Sequence, residues 1–192
     1  MKVTGGALKL RDALVRLLRT KAYSEISIKD IAKEAEMNRT SFYLFFENKE
    51  ELARFTSELF LETYSENLVK SYDLYPNEEN NKNIQNAFRY IDKQKEVIRA
   101  LWSIENLSFS PYLLMQNSIE YHIENYLRKQ QHPSIDTDMI SFYSKLYAVN
   151  AMTTVKWWIE TIPHPSYEKT ADLIDTCCTK GLNYLLLEPN SK

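Results

Sequence analysis

The chain of 192 residues carries 24 Lys and Arg against 26 Asp and Glu, and 44% of it is hydrophobic. That apolar share supports a packed core and excludes a disordered chain. Only Gly5, Gly6 and Gly181 are glycines, which excludes a glycine-rich phosphate loop. No window approaches the roughly 18 unbroken apolar residues of a membrane span, and the opening MKVTGGALKLRD lacks the apolar stretch of a secretory signal. Two adjacent cysteines, Cys177 and Cys178, cannot staple distant segments, so a reduced, cytoplasmic protein is expected.

The net charge of −2 is unevenly spread. Residues 1–46 hold nine Lys and Arg against five Asp and Glu, a net +4, and residues 47–192 hold the balance, a net −6. A basic quarter joined to an acidic remainder fits one face meeting an anion while the rest stays in solution.

Leu10, Ala13, Leu14, Leu17 and Leu18 recur at helical spacing and predict an amphipathic first helix. Ser27 is placed to cap a second, with Asp30 in its first turn and Ile28, Ile31, Ala32 and Ala35 on its inner face. Asn38 is placed to cap a short third helix with Phe42, Phe45 and Phe46 inward. Asn48 is placed to cap a long fourth, ending near Tyr75-Pro76. The spacing then predicts a loop, PNEENNKN, and a fifth helix from about Asn83 to Trp102. Ser110-Pro111 opens a sixth, running to about Gln130 and broken by His132-Pro133. Asp136 or Thr137 opens a seventh, to Ile162, and Ser166 caps the last, ending near Leu187. No segment shows strand alternation. The expected fold is all-α, with a helix-turn-helix domain over residues 1–47 and a larger helical domain over 48–192.

The stretch IAKEAEMNRTSFYLFF, residues 31–46, holds two helices joined by a tight turn, the second short. That is a helix-turn-helix pattern, and an α-helix fits the major groove of duplex DNA. Such a helix must be anchored on one face and polar on the other. Arg39 and Tyr43 are i, i+4 neighbours, as are Thr40 and Leu44, and both pairs face away from the phenylalanines. Asn38 and Arg39 can donate to bases or phosphates, Thr40 and Ser41 add hydroxyls, and Leu44 can meet a thymine methyl.

The longer string SIKDIAKEAEMNRTSFYLFFENKEEL resembles the DNA-binding region of the TetR family of transcriptional regulators, over about residues 8 to 55. The resemblance implies base and backbone contacts from Asn38 to Leu44, phosphate contacts from Ser27 and Tyr43, and a phosphate contact from Lys49 beside free N–H groups at a helix start. The chain departs from the family pattern at Glu36, where glycine is usual, and at Phe45, where Tyr or His is common. A left-handed Glu36 costs very roughly 1 kcal/mol.

The resemblance further implies a C-terminal domain that dimerises and holds a small-molecule effector. Trp102, Phe109, Tyr112, Met115, Tyr121, Tyr147 and Trp157 are the candidate pocket residues. Leu173, Ile174, Cys177, Cys178, Gly181, Leu182 and Leu185 form a broad apolar band on the last helix, the candidate dimer face. His122 between Glu120 and Glu124 does not converge on a metal, because i and i+2 point apart on a helix. No catalytic signature, metal site or cofactor motif is present in the sequence. The expected function is a homodimeric, ligand-responsive repressor on a near-palindromic operator. The alternative is a helical ligand-binding or adaptor protein that no longer reads DNA.

Overall fold

The structure is a computed structural model that describes residues 4–71, 78–104, 108–130 and 139–180, excepting the side chains of 61–71, 80, 130 and 178–180. Among the described residues the elements are helical: α1 (Gly5–Leu18), α2 (Ile28–Glu34), α3 (Arg39–Tyr43), α4 (Lys49–Ser71), α5 (Glu78–Trp102), α6 (Pro111–Gln130), α7 (Ile140–Glu160) and α8 (Tyr167–Ile174). A 3₁₀ turn, Tyr23–Glu25, leads toward α2, and a π-helical turn, Asp175–Lys180, continues α8.

Helix starts follow from single side chains that accept from the free N–H groups of a first turn. Ser27 Oγ accepts from Asp30 N, and Asn38 Oδ1 from Ser41 N. Asn48 Oδ1 accepts from Glu51 N, Ser110 Oγ from Leu113 N, and Ser166 Oγ from Lys169 N. The five expected caps are all in place. α5 opens at Glu78, earlier than the composition of its loop-like start suggests. Glu78 and Glu79 occupy its first turn, where negative charge complements the helix dipole. α7 closes at Glu160, with Thr161 extended behind it. The predicted breaks at Tyr75-Pro76 and His132-Pro133, the residues 136–138 and the end of the last helix beyond 180 lie outside the described residues.

The chain divides into two compact units. The first holds Met1–Phe60 together with Gln94–Leu114, so it runs past the expected boundary after residue 47 and includes the α5–α6 corner. Its core joins Leu10 and Leu14 of α1, Ile31 of α2, Phe42 and Phe46, Leu52 and Phe55 of α4, and Val97 and Leu101 of α5. Fully burying a side chain of this kind stabilises by about 1.5–3 kcal/mol.

The second unit holds Leu61–Lys93 and Met115–Lys192. Ile84, Phe88 and Ile91 of α5 are buried, and the Phe88 ring meets Trp158 of α7 edge-on at 5.4 Å. α8 is tied to α5 by Tyr167 Oη donating to Asp92 Oδ2 at 2.7 Å and by Asn81 Nδ2 donating to Asp172 Oδ1 at 2.9 Å.

Candidate nucleic-acid interface

The turn before α3 is set by backbone hydrogen bonds. Met37 N donates to Ala32 O at 2.8 Å and Glu36 N donates to Lys33 O at 3.1 Å, the paired bonds of a Schellman motif. That motif needs a left-handed residue after the helix, and Glu36 supplies it with φ 56°. Arg16 closes the same end of α2, donating from Nε to Glu34 Oε1 at 2.6 Å and from Nη2 to Glu34 O at 2.9 Å. A cation on the last carbonyls of a helix is favourable.

Two phenylalanines pin α3. Phe42 and Phe46 are fully buried, with ring centroids 5.9 Å apart, and Phe46 meets Phe55 of α4 at 5.4 Å. Phe45 is only partly buried and lies across Gly6 at the start of α1. With the phenylalanines inward, Arg39, Thr40, Tyr43 and Leu44 project outward and Ser41 is half-buried. Leu44 is 77% exposed. Arg39 Nη2 donates to Tyr43 Oη at 3.2 Å, which joins the two outward side chains into one polar edge.

Four expected contact residues, Ser27, Asn38, Ser41 and Lys49, already serve caps or turns. Asn38 Oδ1 accepts from Ser41 N at 2.7 Å and Ser41 Oγ at 3.0 Å, so its acceptor serves the cap. Ser27 Oγ donates to Asp30 Oδ2 at 2.6 Å, and Ser27 N donates to the same oxygen at 2.9 Å. These bonds hold the Asp30 carboxyl below its ordinary pKa. Lys49 Nζ donates to the carbonyls of Tyr23 and Ile26, both at 2.7 Å, and sits 4.1 Å from the Tyr23 ring centroid. Burial lowers its pKa and pushes the Tyr23 hydroxyl up to about 12, with Glu50 adding to the latter.

α4 is also held from its other side. Glu50 Oε1 accepts from Ser108 N at 2.7 Å, which lowers the Glu50 pKa. The Arg54 guanidinium lies 4.3 Å from the Phe109 ring centroid, a cation–π contact.

The seven candidate pocket aromatics and methionine are dispersed. Trp102 and Tyr112 meet edge-on at 5.2 Å in the first unit, and Phe109 lies beneath Arg54 there. Met115 and Tyr147 are buried in the second unit, whereas Tyr121 and Trp157 are 65% and 41% exposed. A described cleft of about 200 Å³ is instead charged, lined by Lys9, Asp12, Arg16, Glu34, Ala35 and Glu36.

On the last helix, Ile174 faces its own core, while Leu173 and Cys177 are exposed. The side chain of Cys178 and all of Gly181, Leu182 and Leu185 lie outside the described residues. The sequence reading missed the outer side of α7, where Phe142, Val149 and Trp157 are exposed at spacings of two helical turns. The signal was present in the sequence: the apolar residues of α7 exceed what one inner stripe holds.

A short, anchored helix presenting a polar edge after a tight turn is a helix-turn-helix, the form that enters the major groove of DNA. Residues 10–54 match the family model described as bacterial regulatory proteins, tetR family. That match covers the helix-turn-helix and the first turns of α4. No curated protein matches the chain. Solved structures share the whole fold at low identity. A putative TetR-family regulator from Syntrophomonas wolfei has a TM-score of 0.68 at 16% identity, covering 96% of this chain and 98% of its own. The fatty acid degradation regulator FadR from Bacillus halodurans has a TM-score of 0.65 at 16% identity, covering 95% and 98%. The dihydroxyacetone kinase operon activator DhaS has a TM-score of 0.63 at 20% identity, covering 96% and 99%.

Proposed function

We propose that this chain is a cytoplasmic, homodimeric repressor that binds a near-palindromic operator and releases it when a small molecule occupies its C-terminal unit. The observation that carries the reading is the α3 edge: Arg39, Thr40, Tyr43 and Leu44 exposed above the buried Phe42 and Phe46. A two-fold dimer would set two such helices about 34–36 Å apart, into successive major grooves. The exposed apolar side chains of α7, together with Leu173 and Cys177, supply the face for the second copy. Met115 and Tyr147, both buried in the second unit, remain the candidates for effector contact. The effector acts through unequal affinity for two spacings of the α3 helices, transmitted by α4.

Arg39, Thr40, Tyr43 and Leu44 carry the base and phosphate contacts, with Asn38 reduced to its amide N–H groups. Ser27 and Ser41 can touch phosphate only by giving up a cap bond. A gel-shift titration on the chain's own upstream region, repeated across salt, tests the reading. Sequence-preferring binding that weakens steeply with salt is expected, and Arg39→Ala should abolish the preference without unfolding the protein. Absence of preferred binding to any upstream duplex returns the chain to the adaptor reading. A structurally similar protein is described as an operon activator. In-vitro transcription with and without the protein therefore decides the sign of regulation.

A further inference from the structure

We propose that Lys49 is a positioning residue, an internal strut that fixes the start of α4 to the segment leading into α2, and not a phosphate ligand. The inference rests on the DNA-binding reading above and reassigns one of its expected contacts. Lys49 is the first residue of α4 and follows closely on Phe46, which anchors the end of the reading helix. An ammonium group has three N–H donors. Two of the donated bonds end on Tyr23 O and Ile26 O at 2.7 Å, and the Tyr23 ring covers a further side at 4.1 Å.

Both carbonyls belong to the short stretch that closes the 3₁₀ turn and delivers Ser27 to the start of α2. Ile26 itself is buried. Tyr23 O also accepts from Ile26 N at 3.2 Å, so the lysine adds a charge-assisted bond to a turn that Glu25 N on Ala22 O closes at 3.0 Å. Lowered basicity from burial agrees with a charge taken partly out of water. Turning Lys49 out to a phosphate would strip both carbonyls of a charge-assisted partner and uncover the ring. The strut spans 23 and 26 residues of sequence and makes α4 and the entry to α2 one body. A displacement of α4 therefore reaches α2 through Lys49, as it reaches α3 through Phe46 and Phe55.

The test uses the full chain with Lys49→Met and Lys49→Arg. Hydrogen exchange on the protein without DNA comes first. A strut predicts faster exchange across residues 28–34 in Lys49→Met, and unchanged protection there overturns the proposal. Binding is then measured on a duplex selected from a random pool, across about 50 to 300 mM KCl. A strut predicts a line parallel to wild type and displaced to weaker binding by about tenfold. Losing a phosphate contact would instead make the slope shallower by about 0.9, and that result overturns the proposal. Lys49→Arg separates the two again if Lys49→Met folds poorly. Arginine serves a phosphate at least as well, so retained affinity overturns the strut, whereas weaker binding at unchanged slope supports it. Failure of the wild type to select any duplex sinks the DNA reading alone, and the exchange result still judges Lys49.

Discussion

Phe45 lies edge-on against Gly6, so closely that a Cβ added there would come within 2.7 Å of ring atom Cε2 and 2.9 Å of Cε1. The residue that departs from the family's usual Tyr or His therefore has a packing role of its own. It seals the end of the reading helix onto the first turn of α1. Gly6→Ala should destabilise the first unit. Overpacking costs about 1–3 kcal/mol, which outweighs the helix-propensity gain of about 1 kcal/mol or less. Gly5→Ala, with open space around it, should be neutral or stabilise by a few tenths of a kcal/mol. Paired urea unfolding curves would separate the two; equal effects would show that the ring yields freely.

Glu36 occupies the left-handed position of the Schellman turn. Relief of that strain is worth about 1–2 kcal/mol, and the added freedom of an unfolded glycine returns about 0.5–1 kcal/mol. Glu36→Gly should therefore stabilise by roughly 0.5–1 kcal/mol. A melting temperature that falls instead would mean the Glu36 side chain makes a contact stronger than the strain it carries.

Lowered carboxylates, Asp30 and Glu50 among them, shape the acid limb of stability. Asp30 is held below its ordinary 3.8, first by the Ser27 hydroxyl and then by the Ser27 amide; Glu50 is held below 4.5 by Ser108. For a depressed carboxyl the stabilisation is complete above the unfolded pKa and is lost as pH falls through the folded one. Thermal unfolding should be insensitive to these groups above about pH 5.5 and decline below about 4.5. Ser27→Ala should lower the melting temperature most near neutrality, and its deficit should shrink toward pH 3. A deficit that stays constant with pH would detach Asp30 from the effect.

Leu44 predicts thymine in the half-site. A groove edge is polar everywhere except at the thymine methyl, so an exposed isobutyl group on the reading helix gains only there. Replacing the facing thymine by deoxyuridine should weaken binding by about fourfold, the value of one methyl at about 0.8 kcal/mol. With Leu44→Ala the same replacement should have no effect. Persistence of the fourfold loss in the variant would place another side chain against the methyl.

The outer side of α7 should hold the dimer. Phe142→Glu or Trp157→Glu should weaken self-association by about 30-fold, as expected for an interface aromatic worth about 2 kcal/mol, and light scattering would detect monomer. Dimers that persist in both variants would move the interface to the α8 end alone.

Local chemistry made most of the helix starts legible. Ser27, Asn38, Asn48, Ser110 and Ser166 are short side-chain acceptors one residue before a helix, and each caps as read. The anchored face of α3 followed from spacing alone. What spacing could not show is where a polar group spends its bonds. The partners of Lys49 lie 23 and 26 residues away, and nothing in its neighbours indicates them. Ser27 read as both cap and phosphate contact, and only the 2.6 Å bond to Asp30 shows that its proton is already donated. Aromatic size likewise gave no direction: Tyr121 and Tyr147 look alike in the sequence, yet one is 65% exposed and the other 1%.

The first compact unit is sewn from two separate lengths of chain, with Val97 and Leu101 filling the core beneath Phe46 and Leu52. Expressing the leading 60 residues by themselves would leave that recess empty and its greasy walls wet. Anyone grafting this DNA reader onto a foreign sensor must carry the α5–α6 corner across as well, at the expense of two extra seams.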